Sequence, residues 1–167
     1  SSDVCSSDLR GADIGCGSGR WAALVAQRAG ELHVVDASEA ALAVARRNLA
    51  STRKVRFHLA SVDELPVACE LAVIGIPAAG VPGAIEACGR KGISHAVILS
   101  AGFREIGERG AVLEARLQAA LKTSGVRAVG PNCIGMMSLR NRVIAGFGAA
   151  FRKTDWRGGP MALISQS

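Results

Sequence analysis

Residues 11–36 read GADIGCGSGRWAALVAQRAGELHVVD, and this stretch decides the fold. A short strand at 12–15 runs into glycines at every second position, Gly15, Gly17 and Gly19. Trp21, Leu24, Val25 and Arg28 then recur at helical spacing as far as Gly30, which is placed to cap that helix. A second apolar run, 32–35, closes on Asp36. Strand, glycine turn, helix and acid-ended strand predict the opening of a parallel βαβ unit. Glycines in such a turn let backbone approach a ligand and present N–H groups at the positive end of a helix. A carboxylate at the tip of the second strand can accept hydrogen bonds from the two hydroxyls of a ribose.

The same alternation continues along the chain. Ser38 precedes Glu39, Leu42, Ala45, Arg46 and Leu49, the pattern of an amphipathic helix whose N-terminus a hydroxyl caps. Residues 55–59 read as a third strand. Residues 71–76, LAVIGI, are nearly all apolar, as expected of a central parallel strand covered on both faces, and Pro77 ends them. A helix at 81–90, a buried strand at 95–99 and a helix at 108–123 follow, with Leu113, Leu117 and Leu121 on one face and Gly125 closing it. Residues 126–129 form a further strand running into Gly130-Pro131-Asn132-Cys133. Residues 143–145 suggest a short extra strand, and a last strand at 161–164 follows the turn at 158–160. The pattern predicts an α/β fold with a doubly wound, mostly parallel, Rossmann-like sheet.

Composition narrows the function. A chain of 167 residues suits one domain with a sizeable core, and 49% hydrophobic content with 20 glycines fits a compact protein with tight turns. The net charge of +6 is spread along predicted helices rather than gathered in a block, and aromatics are 4% of residues, which argues against nucleic acid as the main partner. Five cysteines without a CxxC pair indicate neither a disulfide framework nor a zinc site. Reduced thiols make a cytoplasmic protein the expectation, and no run approaches the length of a membrane span. His33, His58 and His95 lie in or beside strands and read as packed or surface imidazoles rather than bases. Glu105 and Glu108 read as charges at a helix N-terminus.

The glycine turn differs from the dinucleotide pattern GxGxxG, because Asp13 precedes it and glycine recurs at every second position. Residues 11–66 resemble class I S-adenosylmethionine-dependent methyltransferases, whose first motif looks like DIGCGSG and whose second strand ends in an acid placed like Asp36. VRFHLASVDELP is similar to that family's third strand and following loop. The resemblance implies that Gly15, Gly17 and Gly19 line the methionine and ribose moieties, that Asp13 lies near the amino group and that Asp36 holds the ribose. Where the family often has an acid facing adenine this chain has Ser61, and Asp63 is the nearby carboxylate. The family's fourth strand, part of the methyl-acceptor side, has no counterpart after Pro66.

From about residue 64 a second resemblance begins. LAVIGIPA, HAVILSAGFRE, VRAVGPNCIG and MALISQS occur in order at the carboxyl ends of predicted strands, where ligands of parallel sheets bind. They are similar to the CoA-binding region of NDP-forming acyl-CoA synthetases, relatives of the α subunit of succinyl-CoA synthetase. The resemblance implies that Ile76 and Pro77 flank the CoA nucleotide, that Ser100, Ala101 and Gly102 form a second wall, and that Asn132 offers its amide. It also implies an ATP-grasp partner domain or subunit, and a phosphorylated histidine beyond Ser167. Read locally, Pro77 and Pro131 are strand terminators and Asn132 a turn cap.

The expected organisation is a tail at 1–10, a methyltransferase-like βαβαβ half at 11–66 and a truncated CoA-binding region at 67–167, completing one composite domain. In the tail, DVCSSDL at 3–9 resembles a translated sequencing adapter and is set aside. A chimera, natural or artefactual, joined within SVDELP is the first expectation: a CoA-binding fragment of an acid-thiol ligase joined to an S-adenosylmethionine-binding half, without catalytic residues of its own. A class I methyltransferase and a non-catalytic, nucleotide-sensing Rossmann-like domain stand beside it.

Overall fold

The computed structural model describes residues 10–26, 30–65, 68–139, 143–148 and 151. The expected features at 3–9, Arg28, Pro66, 158–160 and 161–164 lie outside them. Six parallel strands form one sheet: β1 (Arg10–Ile14), β2 (Glu31–Asp36), β3 (Val55–Leu59), β4 (Leu71–Ile74), β5 (His95–Ile98) and β6 (Arg127–Val129), in the order β3-β2-β1-β4-β5-β6. The doubly wound Rossmann-like fold is therefore present. The order reverses between β1 and β4, which pair from Gly11 with Leu71 to Ile14 with Ile74. That pairing lies at the centre of the sheet.

Alternation along the strands assigns the layers. Ala12, Ile14, Ala72, Ile74, Ala96 and Ile98 face one side, packed with Ile85 and Cys88 of α3 (Val81–Arg90) and Leu117 and Ala120 of α4 (Glu108–Ser124). Leu113 and Leu121 pack partly buried against the same cluster, so the expected leucine face of α4 does meet the sheet. Leu32 and Val34 face the other side, against Ala22 of α1 (Arg20–Val25) and Leu42, Ala45 and Leu49 of α2 (Glu39–Asn48). Ser38 caps α2, its Oγ accepting from the Ala41 N–H at 3.3 Å, and Gly125 ends α4 in the left-handed conformation.

Over β4 and β5 the second layer is a hairpin instead of a helix. Strands β7 (Gly135–Ser138) and β8 (Val143–Gly146) pair antiparallel, and Ala145 and Met136 pack with Val73 and Val97. Phe147 then meets Trp21 of α1, with ring centroids 4.1 Å apart. Residues 143–145 thus belong to a hairpin whose first strand, GMMS, carries no β-branched residue to announce it.

Strand β4 stops earlier than its apolar run. Gly75 donates to the Ile14 carbonyl at 3.2 Å, and Ile76 already leads into a 3-10 turn at Ala78–Gly80 ahead of α3. His33 is fully buried, with Nδ1 2.8 Å from Nε2 of the half-buried His58, and burial holds both imidazoles below their ordinary range. His95 is exposed at the start of β5 beside Ser94.

Candidate functional site

At the reversal point the ends of β1, β2 and β4 and the segment after β3 enclose a pocket of about 310 Å³. Ile14, Gly15, Val35, Asp36 and Ala37 line it from β1 and β2, Ala60, Ser61, Val62 and Asp63 from the segment after β3. Ile76 and the small residues Gly83, Ala84 and Ala87 of α3 close it. In a doubly wound sheet this is where backbone N–H groups and helix ends diverge enough to admit a ligand.

Asp36 anchors the glycine turn as well as facing the pocket. Its Oδ2 accepts the Gly17 N–H at 3.0 Å and its Oδ1 the Ser38 N–H at 2.8 Å. Oδ2 also accepts from the Cys16 thiol at 3.8 Å, a weak donor, so two ribose hydroxyls can donate to the carboxylate if one displaces that thiol. Gly15, Gly17 and Gly19 all have φ between 51° and 74°, where glycine is favoured, and a Cβ on Gly15 would overlap Cγ2 of Ile76.

Asp13 lies under the turn, 2% exposed, its Oδ2 accepting the Ala22 N–H of α1 at 3.1 Å. Its Oδ1 has no hydrogen-bond partner among the described residues. Burial, offset in part by the Ala22 N–H and reinforced by the charge of Asp36, raises its pKa from the ordinary 3.8 to about 7. Burial first, then the Asp13 and Asp36 charges, pushes the Cys16 thiol to about 12 and keeps it protonated.

The raised Asp13 value has a sign in stability. Between pH 4 and 7 the folded chain keeps a proton that the unfolded chain has released, so the contribution of Asp13 falls as pH rises and levels off above 7. Asp13→Asn, whose amide oxygen can still accept from Ala22, is expected to remove this fall. Urea midpoints across pH 4.5 to 8 should therefore favour the variant increasingly with pH; parallel curves would contradict the assignment.

The other expected residues are placed as follows. Ser61 starts a 3-10 turn at Val62–Glu64, its N–H and Oγ donating to Oε2 of Glu64 at 2.8 and 3.0 Å. Asp63 lines the pocket, but both its oxygens take the Arg90 guanidinium, at 2.9 and 2.7 Å, which holds its carboxyl below the usual range. Pro77 is exposed and precedes the Ala78–Gly80 turn.

Ser100, Ala101, Gly102 and Asn132 do not line the pocket; they form a row beyond β4. Ser100 Oγ donates to the Ile76 carbonyl at 2.6 Å, and the Asn132 N–H to the Ser100 carbonyl at 2.9 Å. The Gly102 N–H donates to Glu105, which lowers the Glu105 pKa, and Glu108 sits in the first turn of α4. Sequence reading did not foresee the α3 wall. Its only local sign is that Gly83, Ala84 and Ala87 lack bulk. Among the described residues no cluster of His, Cys, Asp or Glu could hold a metal ion, and no helix is long and apolar enough to cross a membrane.

A family model described as a methyltransferase domain matches residues 12–75. ADP-forming acetate–CoA ligase I of Archaeoglobus fulgidus is 45% identical over 107 residues, which are 64% of this chain and 15% of that protein. The chain resembles two families. The α subunit of ADP-forming acetate–CoA ligase I of Pyrococcus furiosus is 42% identical over 107 residues, again 64% of this chain and 22% of the subunit. A Pyrococcus horikoshii protein of known structure matches with a TM-score of 0.64 and 28% identity, covering 83% of this chain and 31% of its own. The chain thus spans under a quarter of the length of either ligase.

Proposed function

We propose that the protein is a composite nucleotide-binding unit. In it, residues 11–66 supply an adenosine slot of the methyltransferase kind, and residues 67–167 supply the opposite wall from a CoA-binding region. Adenosine is common to S-adenosylmethionine and CoA, and it is the part this pocket suits. The observation that carries the reading is that one pocket receives Gly15, Asp36 and Ser61 from the first part and Ile76, Gly83, Ala84 and Ala87 from the second. The Asp36 carboxylate would hold the ribose diol, and the apolar space between Val35, Ala60 and the α3 wall would take the base. Asp63 lines the same pocket with its carboxylate paired to Arg90. Amplification of source DNA across the codons for residues 61–70 separates a natural junction from one made in assembly.

The unit binds and does not turn over substrate by itself; an ATP-grasp domain or subunit would bring the ligase chemistry. A second reading, CoA bound along the row of Ser100, Ala101, Gly102 and Asn132, is favoured by the identity to the acetate–CoA ligases and by the hydrogen bonds that hold that row together. Calorimetric titration of the chain with adenosine, S-adenosylmethionine and CoA tests both readings. Adenosine binding at one site per chain is expected. CoA binding that adenosine does not displace would favour the second reading, and no binding by any of the three would refute both.

A further inference from the structure

We infer that Ile76 restricts the adenosine pocket to nucleoside-sized ligands by closing the route from the slot toward the strand ends of β5 and β6. This rests on the adenosine reading above and adds the ligand class. Ile76 stands at the reversal of strand order, two residues beyond the end of β4. Its Cγ2 fills the space a Cβ on Gly15 would need, and its Cδ1 lies 3.3 Å from where a Cβ on Gly80 would stand. The side chain therefore bridges the glycine turn and the Ala78–Gly80 turn. Its backbone is pinned, because the Ile76 carbonyl accepts from Ser100 Oγ and the Ser100 carbonyl from Asn132.

The bridge divides the two sets of site residues. Gly15, Asp36, Ser61 and Ile76 line the pocket, while Ser100, Ala101, Gly102 and Asn132 do not. A ribose whose diol meets Asp36 turns its 5′ carbon away from β2, toward β1 and β4, where Gly15 and Ile76 are in contact. A substituent on that carbon, whether an amino-acid thioether or a diphosphate, would need the volume Ile76 fills. At about 310 Å³ the pocket is at the small end of ligand sites. The Asp36 carboxylate of the pocket also favours hydroxyl donors over phosphates. One part of the chain thus provides the slot and the other provides the stopper, which accounts for a unit that recognises adenosine without seating a whole cofactor.

Calorimetry of the full chain with adenosine and with S-adenosylhomocysteine measures the restriction as a ratio of affinities. The protein is expected to bind adenosine at least as tightly as S-adenosylhomocysteine. Ile76→Ala is expected to shift the ratio at least ten-fold toward S-adenosylhomocysteine, and Ile76→Val, which loses only Cδ1, about three-fold in the same direction. A ten-fold preference of the unsubstituted chain for S-adenosylhomocysteine, or an unchanged ratio in whichever variants fold, would overturn the inference while leaving the adenosine slot standing. Absence of adenosine binding to the unsubstituted chain would instead remove the slot, and the inference with it.

Discussion

Gly110→Ala is expected to lower the stability of the protein by about 3 kcal/mol, although alanine is the better helix former by about 1 kcal/mol. Gly110 is buried in the first turn of α4, and a Cβ there would overlap the backbone carbonyl of Phe103, with Ile106 Cγ1 2.6 Å away. A flexible side chain could rotate aside, but a carbonyl cannot move without its peptide. Phe103 is fully buried in the main core, so shifting its backbone disturbs the packing around Leu117 and Ile98. The change should reach the site, because Phe103 and Gly102 continue the segment that Ser100 ties to Ile76. Urea unfolding monitored by circular dichroism measures the loss. A stabilised Gly110→Ala variant would mean that α4 does not approach the 103–106 segment as closely as described.

Asp36→Ala is expected to weaken adenosine binding at least about a hundred-fold. Hydrogen bonds to a charged acceptor contribute about 1.5–3 kcal/mol each, and two ribose hydroxyls would lose theirs. The Gly17 and Ser38 N–H groups lose an acceptor as well, so part of the effect comes from a looser glycine turn. Asp63→Asn provides the contrast, since Asp63 lines the same pocket but faces Arg90 across an exposed ion pair of small energetic consequence. Its affinity should change less than about three-fold, as expected for an exposed pair. Equal losses for the two variants would point to a general anionic effect in place of a ribose contact at Asp36.

Much of this was legible in the residues. The glycine turn, the acid ending β2, the hydroxyl cap of α2 and the helix at Val81–Arg90 are local patterns, and local patterns survive into the fold when neighbouring elements agree with them. The parallel core strands were readable because both of their faces are buried, which leaves continuous apolar runs. The contacts that shape the pocket are a different matter. Ile76 packs on Gly15, and Arg90 captures Asp63, through pairings between segments far apart in sequence, and neither segment announces its partner.

The hairpin of β7 and β8 was only half legible. Its second strand, VIAG, opens on β-branched residues, whereas its first, GMMS, is held by pairing and by packing on Val73 and Val97. The resemblances assigned residues to two cofactors without saying how the halves meet. The pairing of β1 with β4 sets the glycine turn against the end of β4, where Ile76 packs on Gly15.

The central claim is that an adenosine moiety sits between Asp36 and α3, at the reversal of strand order. Mapping backbone amide chemical shifts while adenosine is titrated into the isotopically labelled chain tests it most directly. Shifts concentrated at Gly15, Asp36, Ala60, Ser61 and Ala84 are the predicted result. Shifts confined to Gly102 and Asn132, or none at the strand ends, would contradict it.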